Sequence, residues 1–263
     1  MPEKSDHIRF DNGLLRCVIS TRSAGCSLNH AMMTRFASTI RSLGTDAGAI
    51  LLIGQGENFC TGGNVKAFAS ADDPAAVVGG FAAEFHDFLM ALVEAPAPVV
   101  AGVQGWAAGA GMSLACAADV VVGGPSTRFR AAYSSLGYSP DGGLSWTLQR
   151  SVGFNRARDL ILTDTVLTGE QAFRIGLLTR VVPDFEVADH ALAVATSLAA
   201  GPTGSHARIK RLLWEAPERT FAEHLDAEAA AVAECADSPA GREGVAAFAQ
   251  RRAADFAAAS ARP

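Results

Sequence analysis

The chain has 263 residues, 49% of them hydrophobic and 19% charged, with a formal net charge of -5, a globular composition long enough for one large core and a smaller appended element. No run of five or six basic residues occurs, which excludes a nucleic-acid surface, because phosphate-backbone binding needs a basic field; a small phosphorylated ligand needs only a few local cations. Cys17, Cys26, Cys60, Cys116 and Cys235 are scattered with no C-x-x-C pair, and the six histidines lack ligand spacing, so neither a disulfide framework nor a metal site is expected.

The N-terminal MPEKSDHIRF has no apolar targeting segment, and the expected compartment is cytoplasmic. Leu14 to Ser20 reads as a strand, Asn29 to Leu43 as a helix through Met33, Phe36 and Ile40, and Ala49 to Ile53 (AILLI) as a short buried strand. Pro74 to Val93 has Phe81, Phe85, Phe88 and Leu92 at helical steps. Val99 to Gly124 is apolar for almost a membrane span. Gln104, Ser113 and Asp119 interrupt it, and no basic flank follows. It reads better as strand (Pro98 to Val103), glycine turn, small-residue helix (Ala108 to Ala118) and strand (Val120 to Val122). Strand–helix alternation around a buried sheet predicts an α/β fold, and no strand is followed by G-x-G-x-x-G, so a dinucleotide fold is not indicated. Beyond about Pro202 the chain becomes rich in Ala, Glu and Leu, with Phe221, Leu225 and Val232 on one helical face. Residues 1–200 therefore read as the core and 201–263 as a helical region, which packs on its own core or forms a subunit interface.

Three glycine-containing segments carry candidate chemistry. Glu57 to Lys66 (ENFCTGGNVK) follows the AILLI strand. Paired glycines there form either a surface turn or a nest of N–H groups that holds a negative oxygen. Gln104 to Leu114 (QGWAAGAGMSL) follows a second strand and opens a helix. Its small residues serve close packing or leave unpaired N–H donors at the helix start. Leu136 to Trp146 (LGYSPDGGLSW) contains Asp141 in a Pro-Asp-Gly-Gly turn among Tyr138, Leu144 and Trp146. Asp141 either satisfies that turn or, partly desolvated, is a proton acceptor.

In this order the three segments resemble the enoyl-CoA hydratase/isomerase, or crotonase, family, and the similarity runs from about Ile19 to Phe256. Phe59 to Lys66 resembles the family's F-[SC]-A-G-x-D-[LI]-K, with Asn64 in place of Asp, and Gln104 to Ala115 resembles N-G-x-A-x-G-G-G-x-x-L-A. Leu167-Thr168-Gly169 with Ala172, Gly176 to Val182, and Glu243-Gly244, Phe248, Arg251-Arg252 and Phe256 are further matches. The resemblance implies a spiral of ββα units followed by a C-terminal helical oligomerisation region that builds a homotrimer or a dimer of trimers. It implies Gly63 and Ala110 as oxyanion-hole donors and an acyl-CoA thioester as substrate, with coenzyme A part of that substrate and no tightly bound cofactor or metal. It places Arg22 and Lys66 near the CoA, and Arg252 at a neighbouring subunit's site; as bare sequence, these are solvated surface cations.

The resemblance also shows departures. Family hydratases use two glutamates, and at those places this chain has Ser113 and Tyr133. A hydroxymethyl group is no carboxylate base, and an unperturbed phenol is almost wholly protonated at neutral pH. Asp141 falls where several isomerases of the family carry their working aspartate, and its turn is most like that of the 1,2-epoxyphenylacetyl-CoA isomerase branch. A dehalogenase branch places a nucleophilic aspartate there, with a histidine matched by His86 and a tryptophan that is Tyr133 here. The expected pocket comprises Ser113, Tyr133, Tyr138, Trp146 and His86 around catalytic Asp141. The leading expectation is an acyl-CoA isomerase. The alternatives are a hydratase-type lyase or thioesterase of the same family, or a non-catalytic acyl-CoA-binding subunit. No nucleic-acid or membrane partner is expected.

Overall fold

The computed structural model describes residues 7–28 and 30–260. Strands β1 (Ile8–Asp11) and β2 (Leu14–Thr21) form an antiparallel hairpin across Asn12-Gly13, a dipeptide suited to a two-residue turn. Helix α1 (His30–Leu43) returns the chain to β3 (Ala49–Gln55), which lies parallel to β2. Asn29, the expected start of that helix, lies outside the described residues. After α2 (Val65–Ala69) and α3 (Pro74–Glu94) come β4 (Val99–Val103), β5 (Trp106–Ala108) and α4 (Ala110–Cys116). The next coil is β6 (Val120–Gly123), β7 (Arg128–Arg130) and α5 (Leu144–Val152). Then follow α6 (Phe154–Thr163), β8 (Leu167–Thr168), α7 (Gly169–Arg174), β9 (Arg180–Val181) and α8 (Val187–Ala199).

Two sheets result, one of order β1-β2-β3-β4-β6-β9 and a smaller one of order β5-β7-β8. The turns β4-β5-α4 and β6-β7-α5 thus each give one strand to the large sheet, one to the small sheet, and then a helix. The centre of the large sheet is covered on both faces, which is why β3, β4 and β6 are largely apolar rather than alternating. Ile50, Leu52, Val99, Ala101 and Val103 join the main core with Phe36, Phe85 and Phe88. Leu51, Ile53, Val100 and Val122 pack the other way, against Ala191 and Ala195 of α8. By length and composition α3 is apolar enough to cross a membrane; in this fold it lays Phe85, Phe88, Leu89 and Leu92 into the core.

The C-terminal region is a bundle of α9 (Thr203–Glu215), α10 (Phe221–Asp237), α11 (Pro239–Ala249) and α12 (Phe256–Ser260). The breaks have local causes. Thr220 and Glu223 form a reciprocal capping box at the start of α10, Ser238 caps α11 with Pro239 in its first turn, and Arg251 has a left-handed φ of 53°. One buried contact fastens α9 to the core. The Lys210 ammonium donates to the carbonyls of Leu92 (2.6 Å) and Ala97 (2.9 Å) and lies 3.7 Å from Asp119 Oδ2. Trp214 of α9 also stacks on Trp146 of α5, ring centroids 5.1 Å apart. The bundle leaves Leu213, Phe221, Val245 and Phe248 more than two-thirds exposed, at 71%, 78%, 71% and 87%.

Candidate active site

The two expected oxyanion segments are sewn together by a short bridge. Phe59 N–H donates to Gln104 O (2.7 Å), Cys60 N–H to Trp106 O (3.0 Å), and Ala108 N–H back to Cys60 O (2.9 Å). The first segment then turns at Gly62, whose φ is 96° and whose added Cβ would lie 3.1 Å from Ala108 O and 3.6 Å from Ala110 N. Glycine is required there by conformation and by space. The second segment turns at Gly109 (φ 53°, ψ -123°), directly before the first residue of α4. Its N–H is taken by Arg130 O at 3.1 Å. Among the described residues, the N–H groups of Gly63 and Ala110 have no protein acceptor. Both residues line one cavity of about 500 Å³, with Phe68, Phe81, Tyr133, Tyr138 and Asp141 among its walls. The arrangement offers two fixed donors to an anionic oxygen.

Asp141 is held from several sides. The Tyr133 hydroxyl donates to Asp141 Oδ1 at 2.6 Å, and Ser113 Oγ donates to the Asp141 carbonyl at 3.0 Å while lying 3.2 Å from the phenol oxygen. The following N–H, of Gly142, donates to His86 Nε2 at 3.1 Å. Burial, and next the neighbouring Asp141 carboxylate, push the Tyr133 phenol far above its ordinary pKa, so it stays protonated and serves as a donor. Ser113 and Tyr133 thus brace the aspartate of the third segment.

The structure brings Gly63, Ala110, Tyr133, Tyr138 and Asp141 to one cavity. Ser113 is fully buried behind its wall. His86 and Trp146 line a separate, mostly apolar cavity of about 560 Å³ on the other side of the Pro-Asp-Gly-Gly turn, with Leu89, Met90 and Trp214. Arg22 is exposed and 3.7 Å from Glu57. Lys66 is exposed on α2, whose cap is Asn64; its side-chain oxygen takes the Ala67 N–H at 3.2 Å, so the replacement of Asp keeps the cap. Ala24, Ser27, Leu28, Asn64 and Ala67 line a third cavity of about 400 Å³, which shares Phe68 and Phe81 with the first. Arg252 lies in the C-terminal bundle, paired with Glu243 at 2.6 Å. Phe68 and Phe81 were not expected in the site, because helical periodicity marks Phe81 only as core. Among the described residues no group of three or more His, Cys, Asp or Glu side chains is placed to hold a metal ion.

The chain is similar to known proteins over nearly its whole length. Residues 9–259 match the family described as enoyl-CoA hydratase/isomerase. The Rhodobacter capsulatus protein named probable enoyl-CoA hydratase is 35% identical over 230 residues, covering 88% of this chain and 89% of that one. The Escherichia coli 1,2-epoxyphenylacetyl-CoA isomerase is 33% identical over 250 residues, covering 94% and 95%. The crystal structure of an enoyl-CoA hydratase from Polaromonas sp. JS666 superposes with a TM-score of 0.88 at 28% identity, covering 94% of this chain and 97% of that one. With a family match over nearly its whole length, a shared fold and two N–H donors in one cavity that are free among the described residues, this chain belongs to the enoyl-CoA hydratase/isomerase, or crotonase, family and acts on acyl-CoA thioesters.

Proposed function

We propose that the chain is an acyl-CoA isomerase in which Asp141 moves a proton along the acyl chain. The observation that carries this reading is that Asp141 is the carboxylate lining the cavity that also holds the Gly63 and Ala110 N–H groups. In a 3-enoyl thioester, Asp141 takes a proton from C2, and the C–H electron pair delocalises through C=C and C=O onto the thioester oxygen. The two N–H donors stabilise that oxygen as its charge develops. The resulting carboxylic acid returns the proton to C4, leaving the double bond between C2 and C3 and the carboxylate restored. One acid–base group suffices, whereas hydration must also activate a water. Tyr133 holds Asp141 as a hydrogen-bond donor through Oδ1.

The name of the Escherichia coli relative supports isomerisation, and that of the Rhodobacter capsulatus relative supports addition of water. A turnover screen of saturated, 2-enoyl, 3-enoyl, aromatic and epoxidised CoA esters by liquid chromatography with mass spectrometry separates them, because isomers of equal mass differ in retention. Isomerised product of unchanged mass supports the proposal. A product heavier by one water, free coenzyme A, or no turnover of any ester sinks it in favour of a hydratase, a thioesterase or a binding subunit. In the same reading Arg22 and Lys66 steady the CoA phosphates beside the cavity that shares Phe68 and Phe81 with the site, and residues 201–263 assemble at least a trimer, bringing Arg252 to a neighbouring subunit. The exposed apolar side chains of the C-terminal helices support that assembly.

A further inference from the structure

Ala132 is a non-glycine residue held at a φ of 60°, directly before Tyr133. An L-residue with a side chain disfavours that left-handed conformation, so something must hold it there. Its N–H donates to Asp164 Oδ1 at 2.6 Å, while Asp164 Oδ2 accepts from Arg130 Nε at 3.0 Å and lies 2.8 Å from Arg130 Nη2. The Asp164 side chain is only 9% exposed. One carboxylate, at the end of α6, therefore spans residues 130 and 132. Arg130 O takes the N–H of Gly109, the residue before the Ala110 donor. Tyr133 gives its hydroxyl to Asp141, and its carbonyl accepts the N–H groups of Leu136 (2.9 Å) and Tyr138 (3.0 Å). Asp164 stands where the two halves of the site branch, although it lines none of the cavities described above.

We infer that Asp164 is a positioning residue, which fixes the left-handed turn at Ala132 and thereby aims the Tyr133 hydroxyl at Asp141. The inference rests on the reading of Asp141 given above. If Asp164 served only as a surface ion pair or the end of α6, its effect would not pass through Ala132. That difference makes the test.

Asp164→Gly removes the carboxylate while suiting the backbone, because Asp164 itself has a φ of 53° and glycine adopts this region freely. With 3-hexenoyl-CoA as probe, D164G is expected to keep its circular dichroism spectrum and KM but to lose about 10- to 100-fold in kcat, as for a displaced catalytic group. Adding Ala132→Gly, which makes the left-handed turn without an anchor, is expected to restore most of that loss. A kcat in D164G equal to the wild type, or a loss that A132G leaves untouched, overturns the inference. A second readout needs no turnover. The chain has two tyrosines, so in a Tyr138→Phe background a Cζ-labelled tyrosine resonance reports Tyr133 alone. D164G is expected to move it toward its position in Asp141→Asn, and A132G to move it back; an unmoved resonance overturns the inference. Wild-type turnover in D141N would sink the Asp141 reading instead, and the resonance would still decide whether Asp164 aims Tyr133.

Discussion

A backbone donor is hard to delete by changing a side chain, but the position of Ala110 permits it. Ala110 is the first residue of α4, the place where proline fits a helix because its missing N–H has no helical partner. Ala110→Pro removes one oxyanion donor, and kcat is expected to fall by about 10²–10³-fold, with thermal stability near that of the wild type; unchanged turnover of a folded A110P protein contradicts the assignment. The same substitution at Gly63 is less clean, since any Cβ there would meet Phe68 Cζ at 2.8 Å. The two segments are legible because each carries a glycine pattern after an apolar strand, whereas Gly63 and Ala110 as the donors are what the family resemblance implies. Asp164 and Ala132 carried no such signal: a left-handed alanine has no local mark, and its anchor lies far along the chain. Asp164 has a further consequence. Burial opposes its charge, but hydrogen bonds from Ser135, Ala132 and Arg130 together with the Arg130 charge outweigh it, leaving the folded pKa below the ordinary carboxylate value. As pH falls the unfolded chain takes up this proton first, so the stabilisation is complete above the unfolded value and is lost as pH falls through the folded one. Urea midpoints measured from about pH 5 to pH 2 are expected to fall more steeply for the wild type than for D164G; parallel curves contradict this.

At the scale of elements, a buried cation and the Trp214–Trp146 stack tie α9 to the core. Lys210→Met leaves two carbonyls and Asp119 without the cation, and the expected loss is about 3–5 kcal/mol by urea unfolding. Asp119→Asn in the K210M background recovers part of that loss, because it removes the uncompensated charge. A loss below about 1 kcal/mol would reduce the contact to the worth of a surface pair. The long apolar strands and α3 were readable from periodicity, since their burial is written into consecutive residues. The short strands β1, β5, β7, β8 and β9 were not, because two to four residues paired across the chain carry too little pattern. The C-terminal region read as helical without internal boundaries and forms four helices, divided by caps at Thr220 and Ser238 and by the left-handed Arg251.

For the whole molecule, the ββα spiral places three distant loops around one cavity and leaves a helical bundle with an apolar outer face. Burial of such a face between subunits is the expected use of Leu213, Phe221, Val245 and Phe248. Sedimentation at micromolar concentration is expected to show at least a trimer, and Phe248→Glu with Leu213→Glu is expected to shift it toward monomer; a monomeric wild type contradicts that assembly. The central claim is that Asp141 is the proton-transferring group. Asp141→Asn keeps the size of the side chain and an acceptor for the Tyr133 hydroxyl while removing the base. Conversion of 3-hexenoyl-CoA to 2-hexenoyl-CoA by purified wild-type and D141N proteins, with affinity for the thioester measured in parallel, tests it most directly. The account predicts near-equal binding and a kcat lower by at least about 10²-fold in D141N; equal turnover by the two proteins would contradict it.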